Sequence, residues 1–250
     1  MKRSFISYCL LFLALGLNYS SAQNSEADSF YNEGNKLLKA GNFKDAITLY
    51  DKALNIKKDY RIYYQKGVAY KRANELDSAK VALDECIKLK PDFEGSYNAL
   101  GSIYYSMGNF ESAVANYEKV VQMSKDTSVI STAKFNLSRA YTMLGDAASK
   151  SNKTKAVEYF QKAVENDNYD KAYLLLAKLY SESKEFDKTI AAAENALKYK
   201  ANISEGGPYY YLGLAYKSKG DLIKAKEMFS LAKNDEAYKK AAEYELSLLK

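Results

Sequence analysis

The chain of 250 residues contains no histidine and no tryptophan, and it has only two cysteines and two prolines. Without histidine it lacks the commonest general base and the commonest metal ligand of proteins, although Asp, Glu, Lys and Tyr chemistry stays open. It also has no glycine-rich phosphate loop, no paired-cysteine metal motif and no Gly-x-Ser-x-Gly nucleophile elbow. The sequence therefore predicts no enzyme and no metal site, and no cofactor is expected.

The two cysteines cannot both belong to the mature protein if the N-terminal apolar segment is removed, because Cys9 lies within it. Cys86 would then be alone, which excludes an intramolecular disulfide. In other repeats of the chain, alanines take the position of Cys86: Ala53, Ala163, Ala196 and Ala232. We therefore expect Cys86 to fill a small slot in the core.

Charge and composition favour a helical protein with a core rather than a nucleic-acid binder. Apolar residues make up 47% of the chain, and twelve glycines are few for its length. The formal net charge is +6, and no run of basic residues is longer than two. Nucleic-acid binding depends on neutralising many phosphates, so this mild and scattered charge predicts no nucleic-acid partner.

The first 22 residues have the three parts of a secretory signal peptide. Lys2 and Arg3 give a basic start, and an apolar stretch follows that is densest from Leu10 to Leu17. Ser20 and Ala22 are the small residues that a signal peptidase reads, which predicts cleavage between residues 22 and 23. We expect an exported protein, periplasmic or extracellular, from a bacterial source, without an integral membrane span after cleavage.

A pattern of small residues recurs six times at a spacing of about 34 residues. The first small residue of each repeat lies in a predicted first helix, at Gly34, Gly67, Gly101, Ser138, Ala177 and Gly213. The second follows after twelve positions in five repeats, at Ala46, Ala79, Ala113, Thr189 and Ala225. In the fourth repeat Ala156 follows only after eighteen, which predicts an insertion at Asp146–Thr154.

Each repeat contains two amphipathic segments with apolar residues at intervals of three and four. In the third repeat, Tyr97 to Tyr104 and then Phe110 to Val120 each place apolar residues on one helical face. A short turn separates the two predicted helices. Glycines predict this turn, because a helix end often needs a left-handed residue: Gly41, Gly108, Gly145 and Gly220.

These segments resemble the tetratricopeptide repeat. Residues 98–104 and 211–216 match its Leu-Gly and Tyr positions, and residues 113–120 and 156–163 match its Ala, Phe or Tyr, and Ala positions. Other residues replace the tryptophan of the family: Phe30, Tyr63, Tyr97, Lys134, Tyr173 and Tyr209.

The resemblance implies an all-α fold, a right-handed superhelical solenoid of about six helix-turn-helix repeats. The repeat array is predicted over 23–236, with repeats at 27–59, 60–93, 94–127, 131–169, 170–205 and 206–236. A capping helix over 237–250 is predicted to cover the last apolar face with Ala237, Ala241, Tyr244 and Leu248. Its solvent side would carry Lys239, Lys240, Glu243 and Glu245.

In arrays of this family the first helices line a concave groove that holds extended peptides or helices, so a protein or peptide partner is implied. Transferring that face by register predicts these groove residues: Tyr31, Asn35, Arg61, Tyr64, Gln65, Lys71, Arg72, Asn98, Ser102, Tyr105, Arg139, Lys178, Tyr210 and Lys217. Leu38 and Thr142 belong to the same predicted face. The resulting groove is aromatic and basic, with amides that can pair with a peptide backbone.

The carboxylate clamp that some family members use is not present as a set. Asn35 matches one clamp position, but Tyr31, Gly95 and Ala99 stand where basic residues are required. The leading hypothesis is an exported protein–protein interaction scaffold. The alternatives are an envelope structural protein that binds glycan or peptidoglycan through stacked tyrosines and, less favoured, an enzyme. The sequence predicts neither the partner's identity nor the oligomeric state.

Overall fold

The computed structural model describes residues 24–249, which form helices and turns without a strand. The helices are α1 (24–39), α2 (Phe43–Ile56), α3 (Tyr60–Arg72), α4 (Leu76–Leu89), α5 (Glu94–Ser106), α6 (Phe110–Met123), α7 (Thr127–Ala148), α8 (Lys153–Asn166), α9 (Asp170–Glu182), α10 (Phe186–Lys198), α11 (Gly206–Ser218), α12 (Leu222–Ala232) and α13 (Lys239–Ser247). Six successive helix-turn-helix pairs precede α13, so the predicted all-α repeat class is confirmed. The predicted signal peptide lies outside the described residues. No helix in the described part is long and apolar enough to cross a membrane.

The helices divide into two compact units. The N-terminal unit ends at Gly108 and contains α1–α5, and the C-terminal unit begins at Asn109 and contains α6–α13. In the N-terminal unit, α3 packs against α2, α4 and α5. Cys86 is fully buried there as a free thiol, which confirms its predicted place in the core.

Side-chain caps and left-handed residues fix the ends of the helices. Asn42, Asn109 and Asp221 each accept a hydrogen bond from a backbone N–H in the first turn of α2, α6 and α12. The predicted turn glycines at 41, 108 and 220 have φ values of 83°, 77° and 83°. Asn74 and Lys184 adopt the same left-handed conformation in the turns of the second and fifth pairs. Five of the six turns between paired helices thus contain a residue in the left-handed conformation.

The fourth pair departs from the predicted register. Gly145 does not end a helix, because α7 continues to Ala148 and buries this glycine against the ring of Phe160. A Cβ atom on Gly145 would lie 2.5 Å from the Cε1 atom of Phe160, just as one on Gly213 would lie 2.6 Å from the Cδ1 atom of Phe229. Gly145, and not Ser138, is therefore the small residue of the fourth repeat.

The extra length of the fourth repeat lies at the start of α7. This helix has 22 residues, whereas α3, α5, α9 and α11 have 13 each. The predicted insertion at Asp146–Thr154 is wrong, since those residues complete α7, form a short turn and begin α8. Ser138 precedes Gly145 by seven residues, about two helical turns, so both lie on one face. Periodicity alone could not choose between them.

The last helix presents a different face from the predicted one. Ala242 and Leu249 pack into a cluster with Ala225, Phe229 and Ala232, so the end of the last pair is covered. Tyr244 and Leu248, predicted to provide that cover, are 63% and 53% exposed. Glu245 was predicted on the solvent side, but its side chain is 13% exposed and contacts α11. Two apolar stripes run along this segment, and only packing against α12 selects one.

Candidate binding face

The first helices of the pairs carry the predicted binding residues, and we call their shared side the first-helix face. In the N-terminal unit it comprises side chains of α1, α3 and α5; in the C-terminal unit it comprises side chains of α7, α9 and α11. The predicted residues on this face are half-buried, except Arg61, Arg72 and Lys178, which are exposed. Leu38 and Thr142 are buried at 6% and 1% exposure, so their assignment to the groove is wrong.

Lys71 joins two helices of the N-terminal unit through a neutral partner. Its Nζ atom on α3 donates a hydrogen bond to the Oγ atom of Ser102 on α5 over 2.6 Å. Burial and then the neighbouring Arg72 lower the pKa of the Lys71 ammonium. Among residues 24–249, no carboxylate forms an ion pair with Lys71 or Arg72. This part of the face therefore holds positive charge without a compensating acid.

Arg61, at the start of α3, has its charge compensated locally. Its Nη2 atom lies 2.6 Å from the Oδ2 atom of Asp59, and its Nε atom donates to both carboxylate oxygens. Asp59 also caps α3 by accepting from the Arg61 backbone N–H. The hydrogen bonds from Arg61 lower the pKa of Asp59 despite partial burial, and the same pairing raises the pKa of Arg61. Arg61 is thus a weaker anion contact than the sequence suggested.

The tyrosines of the face pack against other aromatic rings. Tyr31 lies 6.2 Å from the ring of Tyr50, and Tyr64 meets Phe93 edge-on at 5.0 Å between centroids. Tyr210 contacts the rings of Tyr211, Phe229 and Tyr238. The hydroxyl of Tyr50 donates to the Oδ1 atom of Asn35 over 2.8 Å. These rings serve the contacts between helices, and their packing gives no support to a stacked sugar platform.

In the C-terminal unit the face carries charges of both signs. Lys217 on α11 pairs with Glu245 on α13, with 2.6 Å between the Nζ and Oε2 atoms. Arg139 lies over the ring of Phe135 at 5.9 Å. Lys178 borders a cleft of about 290 Å³ between the end of α7 and α9, floored by Phe160, Leu175 and Leu179. The rim of this cleft consists of polar residues: Asp146, Ser149, Lys150, Lys178 and Glu182.

The cleft residues contributed by the end of α7 and the turn after it were missed because the predicted register of the fourth repeat was wrong. Counting from Gly145 instead of Ser138 places Asp146 and Lys150 where Val68 and Arg72 stand in the second repeat. The signal was available, since Ala156 follows Gly145 after eleven residues, close to the twelve of the other repeats. Within residues 24–249, no group of three or more Cys, Asp and Glu side chains could hold a metal ion.

Asp170 is a second residue whose role the sequence did not reveal. Its carboxylate is buried at 1% exposure and accepts hydrogen bonds from the backbone N–H groups of Ala201, Asn202 and Ile203. Burial would raise the pKa of Asp170, but these donors and the Lys171 N–H outweigh it and lower the pKa. The carboxylate holds the loop before α11 in place. Its partners lie about 31 residues away, beyond the reach of a local pattern.

Comparison with protein families agrees with this repeat structure. A tetratricopeptide repeat model matches residues 60–93, 95–127, 138–170 and 207–234, and a second tetratricopeptide repeat model matches residues 27–60. In the match at 138–170 Ser138 is the first residue and Gly145 the eighth, whereas the small residues of the other matches, Gly67, Gly101 and Gly213, are the eighth, seventh and seventh. The family match therefore has the register that the structure shows for the fourth repeat.

Relatives with known names share part of their length with this chain. DnaJ homolog subfamily C member 3 of Mus musculus is 24% identical over 222 residues, which cover 84% of this chain and 44% of that protein. DnaJ homolog subfamily C member 7 of Homo sapiens is 34% identical over 98 residues, covering 37% and 20%. Heat shock protein STI1 of Saccharomyces cerevisiae is 26% identical over 99 residues, covering 39% and 17%. The chain thus spans less than half of the length of these relatives.

Solved structures share the fold at low sequence identity. YrrB, described as a TPR protein with an unusual peptide-binding site, is 20% identical with a TM-score of 0.51, covering 78% of this chain and 96% of that one. The MamA RS-1 ArsTM double mutant is 21% identical with a TM-score of 0.51, covering 69% and 93%. At these identities the likeness concerns the fold alone. Because the tetratricopeptide repeat models together match more than half of its residues, the chain belongs to the tetratricopeptide repeat family.

Proposed function

We propose that this protein is an exported, non-enzymatic scaffold that binds a peptide or helical segment of a partner protein on the first-helix face. The observation that carries the proposal is a set of polar groups there whose charge or hydrogen-bonding capacity is not met within residues 24–249. The Lys71 ammonium has no carboxylate, and the half-buried amides of Gln65 and Asn98 form no hydrogen bond within residues 24–249. Amides can pair with a bound backbone, and cations can meet acidic side chains.

The preformed helices make this binding inexpensive in conformational entropy. Helices α3 and α5 are held by a core in which Leu83, Leu100 and Ile103 are buried, so their outward side chains need little ordering. A ligand segment then bears most of the ordering cost, which favours short extended or helical segments. YrrB, which shares the fold, is itself described as having a peptide-binding site.

Site-specific photo-crosslinking tests the proposed face. A photoreactive residue at Gln65, on the first-helix face of α3, should crosslink the partner in the protein's own envelope extract. The matched control is the same residue at Asp84, which is exposed on the second helix α4. Equal crosslinking yields from the two positions, or a product only at Asp84, would contradict the proposed face.

Export rests on the N-terminal pattern and has its own test. When the full chain is expressed in a bacterium, the mature protein should begin at Gln23 and fractionate with the envelope or the medium. Replacing Leu13 by Arg breaks the apolar stretch and should leave an uncleaved protein in the cytoplasm. A wild-type protein that retains Met1–Ala22 after fractionation would contradict the proposed cleavage.

A further inference from the structure

Two repeats place a lysine at the same position on the first-helix face, but only one of these lysines has an acid. Lys71 follows Gly67 by four residues on α3, and Lys217 follows Gly213 by four residues on α11. Lys217 pairs with the Glu245 carboxylate over 2.6 Å, whereas Lys71 contacts the hydroxyl of Ser102. The repeat thus shows, within one chain, the same cation with and without its counter-charge.

The difference arises at a single position, which lies two helices further along the chain in each case. Glu245 lies 28 residues after Lys217, on α13. Counting the same distance from Lys71 leads to Ala99 on α5, which is half-buried and carries only a methyl group. Burial agrees with this equivalence at two positions, because Ala242 and Leu249 in the α13 segment and their counterparts Ser96 and Ile103 on α5 are all buried. At two others it differs, since Glu243 and Ser247 are exposed whereas Tyr97 and Gly101 are buried. The N-terminal unit therefore lacks the carboxylate that the C-terminal unit supplies to its lysine.

Lys71, a half-buried lysine without an acid, differs from Lys66 on the same helix. Lys66 has a side-chain exposure of 19% and pairs with Asp51 over 2.5 Å. At Lys71 a hydroxyl accepts a hydrogen bond from the ammonium but brings no opposite charge, so the loss of hydration is only partly offset. Arg72, the next residue on α3, adds positive charge nearby. An incoming carboxylate would gain a charge-assisted contact with the Lys71 ammonium.

We infer that the N-terminal unit binds an acidic peptide, and that an Asp or Glu carboxylate of that peptide takes, at Lys71, the place that Glu245 takes at Lys217. The inference rests on the proposed function and adds its ligand chemistry. It commits to a peptide because the half-buried amides of Gln65 and Asn98 lie on the same helices, α3 and α5, and suit a backbone. Arg61 is not part of the site, since Asp59 already neutralises it.

The test begins with a random twelve-residue peptide library displayed on phage and panned against the immobilised full chain. The recovered peptides should be enriched in Asp and Glu, and replacing these residues by Asn and Gln should weaken binding about tenfold in fluorescence anisotropy. A charge-assisted contact of this kind has that order of effect. Lys71→Met should lower the affinity for the acidic form to that of the amide form.

Ala99→Glu is the sharper test. It gives Lys71 an internal carboxylate at the position equivalent to that of Glu245, the partner of Lys217. The new side chain should occupy Lys71 and lower the affinity for acidic peptides about tenfold, since one charge-assisted contact is lost to the peptide. Ala99→Gln, of matched size and without charge, should retain that affinity. Circular dichroism melts of both variants show whether the fold is kept. Equal affinities of Ala99→Glu and Ala99→Gln for acidic peptides would overturn the inference.

The outcomes separate this inference from the proposed function. Recovered peptides without acidic enrichment, whose binding does not change in Lys71→Met, would overturn the inference and leave peptide binding standing. Failure to enrich any peptide above an uncoated surface would overturn both. Phosphatidylglycerol vesicles serve as a competing anionic surface, and vesicle binding that is lost in Lys71→Met while acidic peptides do not bind would overturn the assignment to a peptide.

Discussion

The two compact units use the same repeat but differ in regularity and in charge. In the N-terminal unit α3 and α5 have 13 residues each, and the lysine on its face has no acid. The C-terminal unit contains the extended α7, a loop before α11 that Asp170 secures, and a lysine already paired with Glu245. The comparison shows that equivalent lysines of the two units differ in whether a neighbouring helix supplies an acid, although both units contain other internal ion pairs such as Arg61–Asp59 and Lys66–Asp51.

The largest expected loss of stability comes from releasing the loop that Asp170 holds in the C-terminal unit, a contact that the described residues of the N-terminal unit do not use. Asp170→Asn leaves a single acceptor oxygen for the four backbone N–H groups that the two carboxylate oxygens serve, at Lys171 and at residues 201–203, so buried donors lose their partner. We expect a loss of about 3 kcal/mol in the free energy of unfolding, measured in urea. Hydrogen exchange should increase at residues 201–203 and should be unchanged in α3. Wild-type exchange rates in that loop would contradict the proposed role of Asp170.

The same carboxylate predicts a pH dependence. Because the folded protein lowers the pKa of Asp170, its contribution to stability is fully present above the unfolded value of about 4 and is lost as the pH falls through the lowered value. Between about pH 5 and pH 3 the wild type should therefore lose more stability than Asp170→Asn. Parallel pH profiles of the two proteins would contradict this expectation.

The second effect tests which residue is the small one of the fourth repeat. Gly145→Ala would place a Cβ atom against the buried ring of Phe160, and we expect a net loss of about 1–2 kcal/mol. Gly67→Ala, which meets Leu83 in the N-terminal unit, should cost a similar amount. Ser138→Ala is the matched control. It removes a buried hydroxyl that has no hydrogen-bond partner among the described residues, so it should cost little. A larger loss at Ser138 than at Gly145 would restore the register predicted from sequence.

The smallest effect compares the two lysines directly. Lys217→Met breaks a half-buried ion pair and leaves Glu245 without its partner, so we expect a loss of about 1 kcal/mol. Lys71→Met removes a cation that has no acid and should change the free energy of unfolding by less than about 0.5 kcal/mol. Equal losses in urea titrations of the two variants would mean that Lys71 has a stabilising counter-charge after all.

Local patterns were sufficient where the repeat is regular. The intervals of three and four predicted the helices, and glycines at 41, 108 and 220 predicted turns, because a left-handed residue is a local requirement. Ser138 and Gly145 show the limit of such patterns. The two positions lie two helical turns apart on one face, and only contact with Phe160 distinguishes them.

The sequence predicted which residues lie on the candidate face, but not which of their charges are paired. Register placed Lys71, Lys217, Gln65 and Asn98 on one type of helix face. It did not reveal that Asp59 neutralises Arg61, although the two residues are close in sequence. Nor could it reveal the contact between Lys217 and Glu245, which joins residues 28 positions apart. A helical pattern indicates which way a side chain points, whereas the charge that it meets depends on the neighbouring helix.

The sequence by itself determined the architecture of this protein, because small and aromatic residues at a spacing of about 34 favour paired helices and agree with one another across repeats. Tertiary structure alone decided which apolar stripe of α13 is covered, since both stripes are compatible with a helix. It also decided that Lys217 of the first-helix face is paired with an acid and that Lys71 is not. The covered face of α13 and the pairing of these lysines depend on contacts between side chains of separate helices, which a local sequence pattern does not predict.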